Sequence, residues 1–250
     1  MKPIFPILAA AAAAWSLATV PAQASNTFPA SGYGQAYSAS VILNSSLPSQ
    51  TLAGPIAPAV LSCNVRTATN TNRVLSVNLG SALISGTGTN TVMSTHSMSG
   101  ATMQSTATIQ AVNALGGLIT ASAVHAVANS AASAVGASSN GNGSSFLNLI
   151  IAGIPVVANP APNTTVSVPG IGSATLNEQL LYTSASSTTF TVNMIHIRVT
   201  VANALGLKIG TNIIVAHATS SLTRMVTSTT VSASAYGLFA KGFAGNINLI

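Results

Sequence analysis

The sequence predicts an all-β protein: one antiparallel β-sandwich or barrel-like domain over residues 25–250, following a cleaved N-terminal signal peptide over 1–24. Three observations carry this. Val, Ile, Thr and Ser alternate with period 2 through most of the chain, as half-buried strands require. Clusters of Gly, Asn and Pro punctuate those runs at turn-like intervals. Beyond the first residues, no run sets apolar side chains at i, i+3, i+4 and i+7 against a charged face, so amphipathic helices are not expected.

The elements follow in chain order. Lys2 supplies a positive n-region, residues 7–20 (ILAAAAAAWSLATV) an apolar h-region, and 21–24 (PAQA) an A-x-A ending that places cleavage after Ala24. The h-region is shorter than the ~20 apolar residues of a spanning helix. A secreted, extracellular or cell-surface protein is therefore expected, with no membrane span after cleavage. Strands are expected at 36–43, 73–80, 103–112, 118–128, 146–151, 164–169, 173–183, 189–201, 211–222 and 229–240, with turns at 113–117, 138–145, 159–163 and 203–210. A Pro-punctuated connection, 47–58, separates the first strand from the second. The Ala-rich stretch 118–135 suits a helix in part as well as a strand. In 189–201 the apolar face changes near Met194, which fits a bulge. Residues 111–126 and 201–218 share an Asn-Ala-Leu-Gly turn and a Val…His-Ala strand, consistent with recurring hairpins.

Charge is scarce. The whole chain has seven Lys and Arg and one Asp or Glu. After cleavage, six scattered basic residues face one carboxylate, for a net charge near +5. A nucleic-acid footprint needs basic residues gathered on one face, so no nucleic-acid partner is expected. The polar surface must consist of Ser, Thr, Asn and Gln, which offers little charge repulsion against strand-to-strand association. Self-association through edge strands, or contact with surface or matrix partners, follows as an expectation. Cys63 is the single cysteine, so no intramolecular disulfide forms, and it reads as a small buried side chain.

The chemistry-bearing residues are few. Paired-carboxylate hydrolysis needs two acids, and this chain has only Glu178. No G-x-S-x-G elbow, glycine-rich phosphate loop or H-x-x-x-H spacing is present, and His96, His125, His196 and His217 stand singly. No catalytic, cofactor or metal residue is assigned. In a regular strand, Leu176, Glu178 and Leu180 share one face, and Asn177, Gln179 and Leu181 the other. A carboxylate among apolar neighbours needs a partner, and Arg198, on the following strand, is the candidate. Glu178, Arg198, Asn177 and Gln179 are thus structural candidates, with a groove-rim role for Glu178 as the alternative. Glu178, Lys208 and Asn193 also supply the residue types of a Lys–Asn isopeptide cross-link.

Residues 146–156 (FLNLIIAGIPV), 160–179 (PAPNTTVSVPGIGSATLNEQ), 191–200 (TVNMIHIRVT) and 210–222 (GTNIIVAHATSSL) occur in that order, and 31–41 (SGYGQAYSASV) precedes them. Together they resemble the choice-of-anchor P family of secreted bacterial proteins. The resemblance implies an extracellular or surface location and brings no catalytic residue. After Gly242 the chain reads FAGNINLI, a departure from the sorting signals of anchored members. The resulting expectation is a non-catalytic secreted or cell-surface structural or adhesive protein. The alternatives are an extracellular carbohydrate- or ligand-binding module, against which the scarcity of aromatics counts, and an enzyme using Glu178 with a nearby His.

Overall fold

The computed structural model describes residues 27–43 and 50–225. The expected signal peptide and the expected strand at 229–240 lie outside them. Among the described residues, seventeen strands follow in chain order: β1 Ala30–Leu43, β2 Gln50–Ala53, β3 Ala59–Asn64, β4 Ala68–Val74, β5 Val77–Asn78 and β6 Leu83–Ser85. Then come β7 Gly88–His96, β8 Gly100–Ala114, β9 Ile119–Ser133, β10 Gly136–Asn140, β11 Ser145–Leu147 and β12 Ile150–Ile151. The last are β13 Ile154–Pro155, β14 Thr164–Val168, β15 Gly172–Thr183, β16 Ser187–Val199 and β17 Thr211–Arg224. No α-helix occurs among the described residues; one 3-10 turn, Leu115–Gly117, joins β8 to β9.

The strands form two sheets, and neither closes into a barrel. The first runs β14-β15-β16-β17-β1-β2, with β3 also on β1; the second is built on β9, β8 and β7, with β4 outside β7. Every pairing is antiparallel. This is a sandwich, so the barrel alternative is set aside.

The Ala-rich stretch 118–135 is strand, not helix. Alanine's helix propensity is a weak prior, and here β8 pairs β9 along its whole length. Residues 73–80 divide into the end of β4 and the short β5, and 146–151 into β11 and β12. Strand β7 was not expected, because its run GTNTVMSTH carries only two large apolar side chains. Its inward positions are Gly88, Asn90, Val92 and Ser94, all buried. Cys63 is exposed, contrary to expectation. It sits at φ 48° in the stretch between Leu61 and Asn64, where the β1 register shifts between Gly34 and Gly32. The bulge turns the thiol away from the core.

Small residues bring the sheets close together. A Cβ on Gly34 would stand 2.3 Å from Val92 Cγ1 and 2.8 Å from Ser105 Oγ, and one on Gly32 2.4 Å from Met103 Cε. Hydroxyls and amides then bridge the interior. Ser105 Oγ donates to the Thr219 carbonyl at 2.6 Å, Ser130 and Ser220 meet at 2.8 Å, and Asn90 Nδ2 donates to Ser38 Oγ at 3.0 Å. These bonds satisfy groups that would otherwise be buried at a cost.

One irregularity positions the candidate site. In the first sheet the long strands change their buried face once, all at the same level. On β16 the buried set passes from Phe190, Val192 and Met194 to Ile195, Ile197 and Val199. On β17 it passes from Thr211, Ile213 and Val215 to Ala216, Ala218 and Ser220. The row Asn177–Met194–Ala216–Ser38 drops out of all three ladders, while the register on either side is unchanged. No residue is inserted, so the expected bulge at Met194 is instead a transverse kink. Asn177 (φ 48°) and Ala216 (φ 56°) take left-handed backbone on alternate strands of that row. Ala111 (φ 49°) marks the equivalent switch on β8, within the first of the two similar hairpins. The Asn-Ala-Leu-Gly turns of both hairpins also approach each other, with Leu205 beside Gly116.

Candidate functional site

The kink decides where Glu178 points. In a regular strand it would follow Leu176 into the core. Left-handed Asn177 reverses the alternation, so Leu176 is buried inward while Glu178 shares the outer face with Thr175. The paired rows carry the rest. Glu178 lies opposite Asn193, Asn193 opposite His217, and His217 opposite Tyr37, so one outward row spans β15, β16, β17 and β1. Across the kink, the next outward row includes Thr175 and His196, followed by Arg198 and Asn212.

Glu178 has three side-chain partners. Its Oε1 accepts from Arg198 Nη2 at 2.7 Å, and its Oε2 accepts from Asn193 Nδ2 at 2.7 Å and faces His196 Nδ1 at 2.8 Å. The expected partner Arg198 is therefore found, reached diagonally, because the residue opposite Arg198 is Ser173. Arg198 Nη1 also donates to Thr175 Oγ1 at 2.9 Å. The pair is asymmetric in burial: the carboxylate side chain is 10 % exposed and the guanidinium side chain 42 %. Burial alone would raise the Glu178 pKa, but hydrogen bonds from Asn193, Arg198 and His196 outweigh it and hold the carboxyl below its ordinary value.

The neighbouring groups set each other's hydrogen positions. Asn212 Nδ2 donates to the Gly210 carbonyl at 2.9 Å, and its Oδ1 lies 3.0 Å from His196 Nε2. On the other side, burial lowers the His217 pKa to about 4, so the ring is neutral near pH 7. Its Nδ1–H donates to Asn193 Oδ1 at 2.6 Å, and Nε2 accepts from Thr219 Oγ1 at 2.9 Å. Thr191 Oγ1 extends the chain to Thr219 at 2.8 Å. The Tyr37 ring stacks on His217 at 4.3 Å between centroids, 13° from parallel. The result is a continuous polar network across four strands, from Arg198 to Tyr37.

The other two structural candidates lie outside this network. Asn177 Nδ2 donates to the Pro160 carbonyl at 3.1 Å, and Gln179 Nε2 donates to Asn177 Oδ1 at 2.9 Å. The Gln179 backbone N–H donates to Asn163 Oδ1 at 2.8 Å. Both residues hold the 159–163 connection against β15. Sequence reasoning named His196 and Asn193 only among alternatives, and it missed Thr175, Asn212, Thr219 and Tyr37. Cross-strand register decides these neighbours, and strand periodicity does not reveal it. The isopeptide constellation is not assembled: Asn193 is buried against Glu178, whereas Lys208 is exposed in the loop before β17.

Among the described residues, no serine or cysteine stands among the hydrogen-bond partners of Glu178 or His196. Among the described residues, no group of three His, Cys, Asp or Glu side chains could hold a metal, and no helix is long and apolar enough to cross a membrane. A cleft of about 510 Å³ lies elsewhere, lined by Thr95, Ser97, Ser99, Thr102, Ser133 and Ser138 with alanines between. No family model, curated protein or solved structure matches the chain.

Proposed function

We propose that this chain is a non-catalytic secreted or cell-surface structural or adhesive protein. The observation that carries this reading is the use of its one carboxylate. Glu178 is bound by Arg198, Asn193 and His196 within a continuous sheet face, so three of its roughly four acceptor directions are taken up by neighbours in the sheet. The outer faces support the reading by offering hydroxyls and amides in rows, such as Thr71 with Thr91, and Gln104 with Asn129 and Asn140. Contacts of that kind are neutral, and salt screens them little. The resemblance to the choice-of-anchor P family, carried by residues 146–222 and 31–41, belongs to the same proposal.

The test has two parts. The purified protein is incubated with glycosidase, esterase and peptidase substrates, and with insoluble polysaccharide and cell-wall particles. The expected result is no turnover, with retention on particles that persists at about 1 M salt. Turnover lost in Glu178→Gln would overturn the reading. A soluble-carbohydrate module is the second reading, favoured by a cleft in which Ser and Thr hydroxyls alternate with small apolar residues. Competition by a soluble saccharide that Thr102→Val abolishes would favour it.

A further inference from the structure

We infer that the second half of β15, residues 179–183, is a pairing edge for a second copy of this chain. This deepens the structural reading above by naming the partner and the surface. Strand β14 covers β15 only as far as Leu176, opposite Thr164. Beyond that point, among the described residues, β15 pairs with β16 alone, through Thr183 opposite Thr188. The uncovered stretch is apolar on both faces: Leu180 is 56 % exposed, Leu181 59 % and Tyr182 69 %.

The backbone shows which groups have no strand partner among the described residues. The Asn177 carbonyl accepts from Asn163 N–H, and the Gln179 N–H goes to Asn163 Oδ1, so odd-numbered residues of this stretch face the open edge. At the hairpin end, Ser184 N–H bonds the Ser187 carbonyl, which assigns the even-numbered residues to β16 and agrees with this phase. The Gln179 carbonyl, both Leu181 groups and the Thr183 N–H therefore point away from the sheet.

The occupant follows from charge and symmetry. Natural edges are shielded by Lys, Pro or short length. Residues 179–197 contain no Lys, Arg, Asp, Glu or Pro. The β4 edge is different: Asn70 and Asn72 donate across it to the Val60 and Pro58 carbonyls. In a chain of net positive charge, a self-contact is favoured where charge is absent. An antiparallel two-fold centred on Leu181 places Leu181 against its own copy and Leu180 against Tyr182 on the same face. It forms two bonds between the Leu181 residues and two from Thr183 N–H to the Gln179 carbonyl of the other copy. Asn163, already holding the Gln179 N–H, ends the register there.

The experiment uses the whole chain carrying Cys63→Ser, by light scattering over a concentration series and by oxidative cross-linking. A concentration-dependent dimer is expected. Leu181→Pro deletes an N–H that the β15–β16 ladder does not use, and it should weaken the dimer by more than about tenfold. If that variant melts early, Leu180→Lys with Tyr182→Lys, on the outer face, should do the same. Leu181→Cys puts two thiols on the two-fold axis at a narrow pair, where Cα atoms lie ~5.5 Å apart and a disulfide fits. It should cross-link, whereas Leu147→Cys, exposed on β11, should not. A monomer at every concentration, or a dimer that none of these changes affects, overturns the inference. A monomer that still binds particles without turnover sinks only this edge. A dimer with Glu178-dependent turnover sinks the functional reading and leaves the edge intact.

Discussion

At the residue scale, the Glu178 network makes two asymmetric predictions. Arg198 is more than a third exposed, so solvent can rehydrate what its loss uncovers, whereas Glu178 is not. Glu178→Leu should destabilise by roughly 2–4 kcal/mol, because it strands Asn193 Nδ2 and the guanidinium. Arg198→Leu should cost nearer ~1 kcal/mol. The double mutant should lose less than the two effects summed, and urea unfolding of the four variants reads the coupling. Strict additivity would mean that the pair is not coupled. Acid gives the second prediction. The unfolded chain protonates His217 near its ordinary value of 6.5, while the folded ring resists until about 4. Stability therefore falls as pH drops through that window, by up to ~3 kcal/mol from this residue. Glu178 acts lower: its contribution is complete above the ordinary carboxylate range and is lost as pH falls through its depressed folded value. His217→Gln keeps a donor for Asn193 and should flatten the slope between pH 6.5 and 4. An unchanged slope would place the acid sensitivity elsewhere, with His125, whose pKa burial also lowers, as the next group to test.

At the element scale, the controlling feature is the transverse kink. Asn177 holds left-handed φ and supplies two side-chain bonds to its surroundings. Asn177→Gly keeps the backbone and should cost little beyond those bonds. Asn177→Val cannot adopt φ 48° without strain, and its cost should exceed that of Asn177→Gly by ~1–2 kcal/mol. Equal melting temperatures for the two variants would mean that the kink is not imposed at this residue. The strand content of β1, β8, β15, β16 and β17 was readable from alternation, whereas the Ala-rich β9 suited a helix in part and was decided by its pairing with β8. β7 escaped that reading, since its inner face holds one large apolar side chain, Val92 against Gly34, among Gly88, Asn90 and Ser94. Its burial comes from close sheet approach and not from hydrophobic pattern.

At the scale of the whole molecule, that approach is the organising constraint. Gly34 faces Val92 and Ser105 across the interior, with no room for a methyl. Gly34→Ala should lower stability by ~1–3 kcal/mol through overpacking. Val92→Ala in the same chain should restore part of it, which thermal melts of the single and double variants would show. No recovery would mean that the backbone itself limits the spacing. The hydroxyl bridges Ser130–Ser220 and Ser105–Thr219 belong to the same geometry, because only small side chains leave a neighbouring strand within hydrogen-bond reach.

Sequence alone determined that this chain is built of antiparallel strands, that charge chemistry is almost absent from it, and that Glu178 needs a partner, for which Arg198 is a candidate. Those conclusions rest on local periodicity and on counting residue types. Tertiary structure alone decided that the strands make an open sandwich, that Cys63 is exposed, and that Asn177 turns Glu178 outward. It also decided that Asn193, His196, His217 and Tyr37 complete one network. The physical reason is that a left-handed residue reverses every side chain after it, while cross-strand register selects the neighbours. Both are settled by register between strands, within successive hairpins for Asn193, His196 and His217 and between the distant β1 and β17 for Tyr37, which periodicity within one strand does not encode.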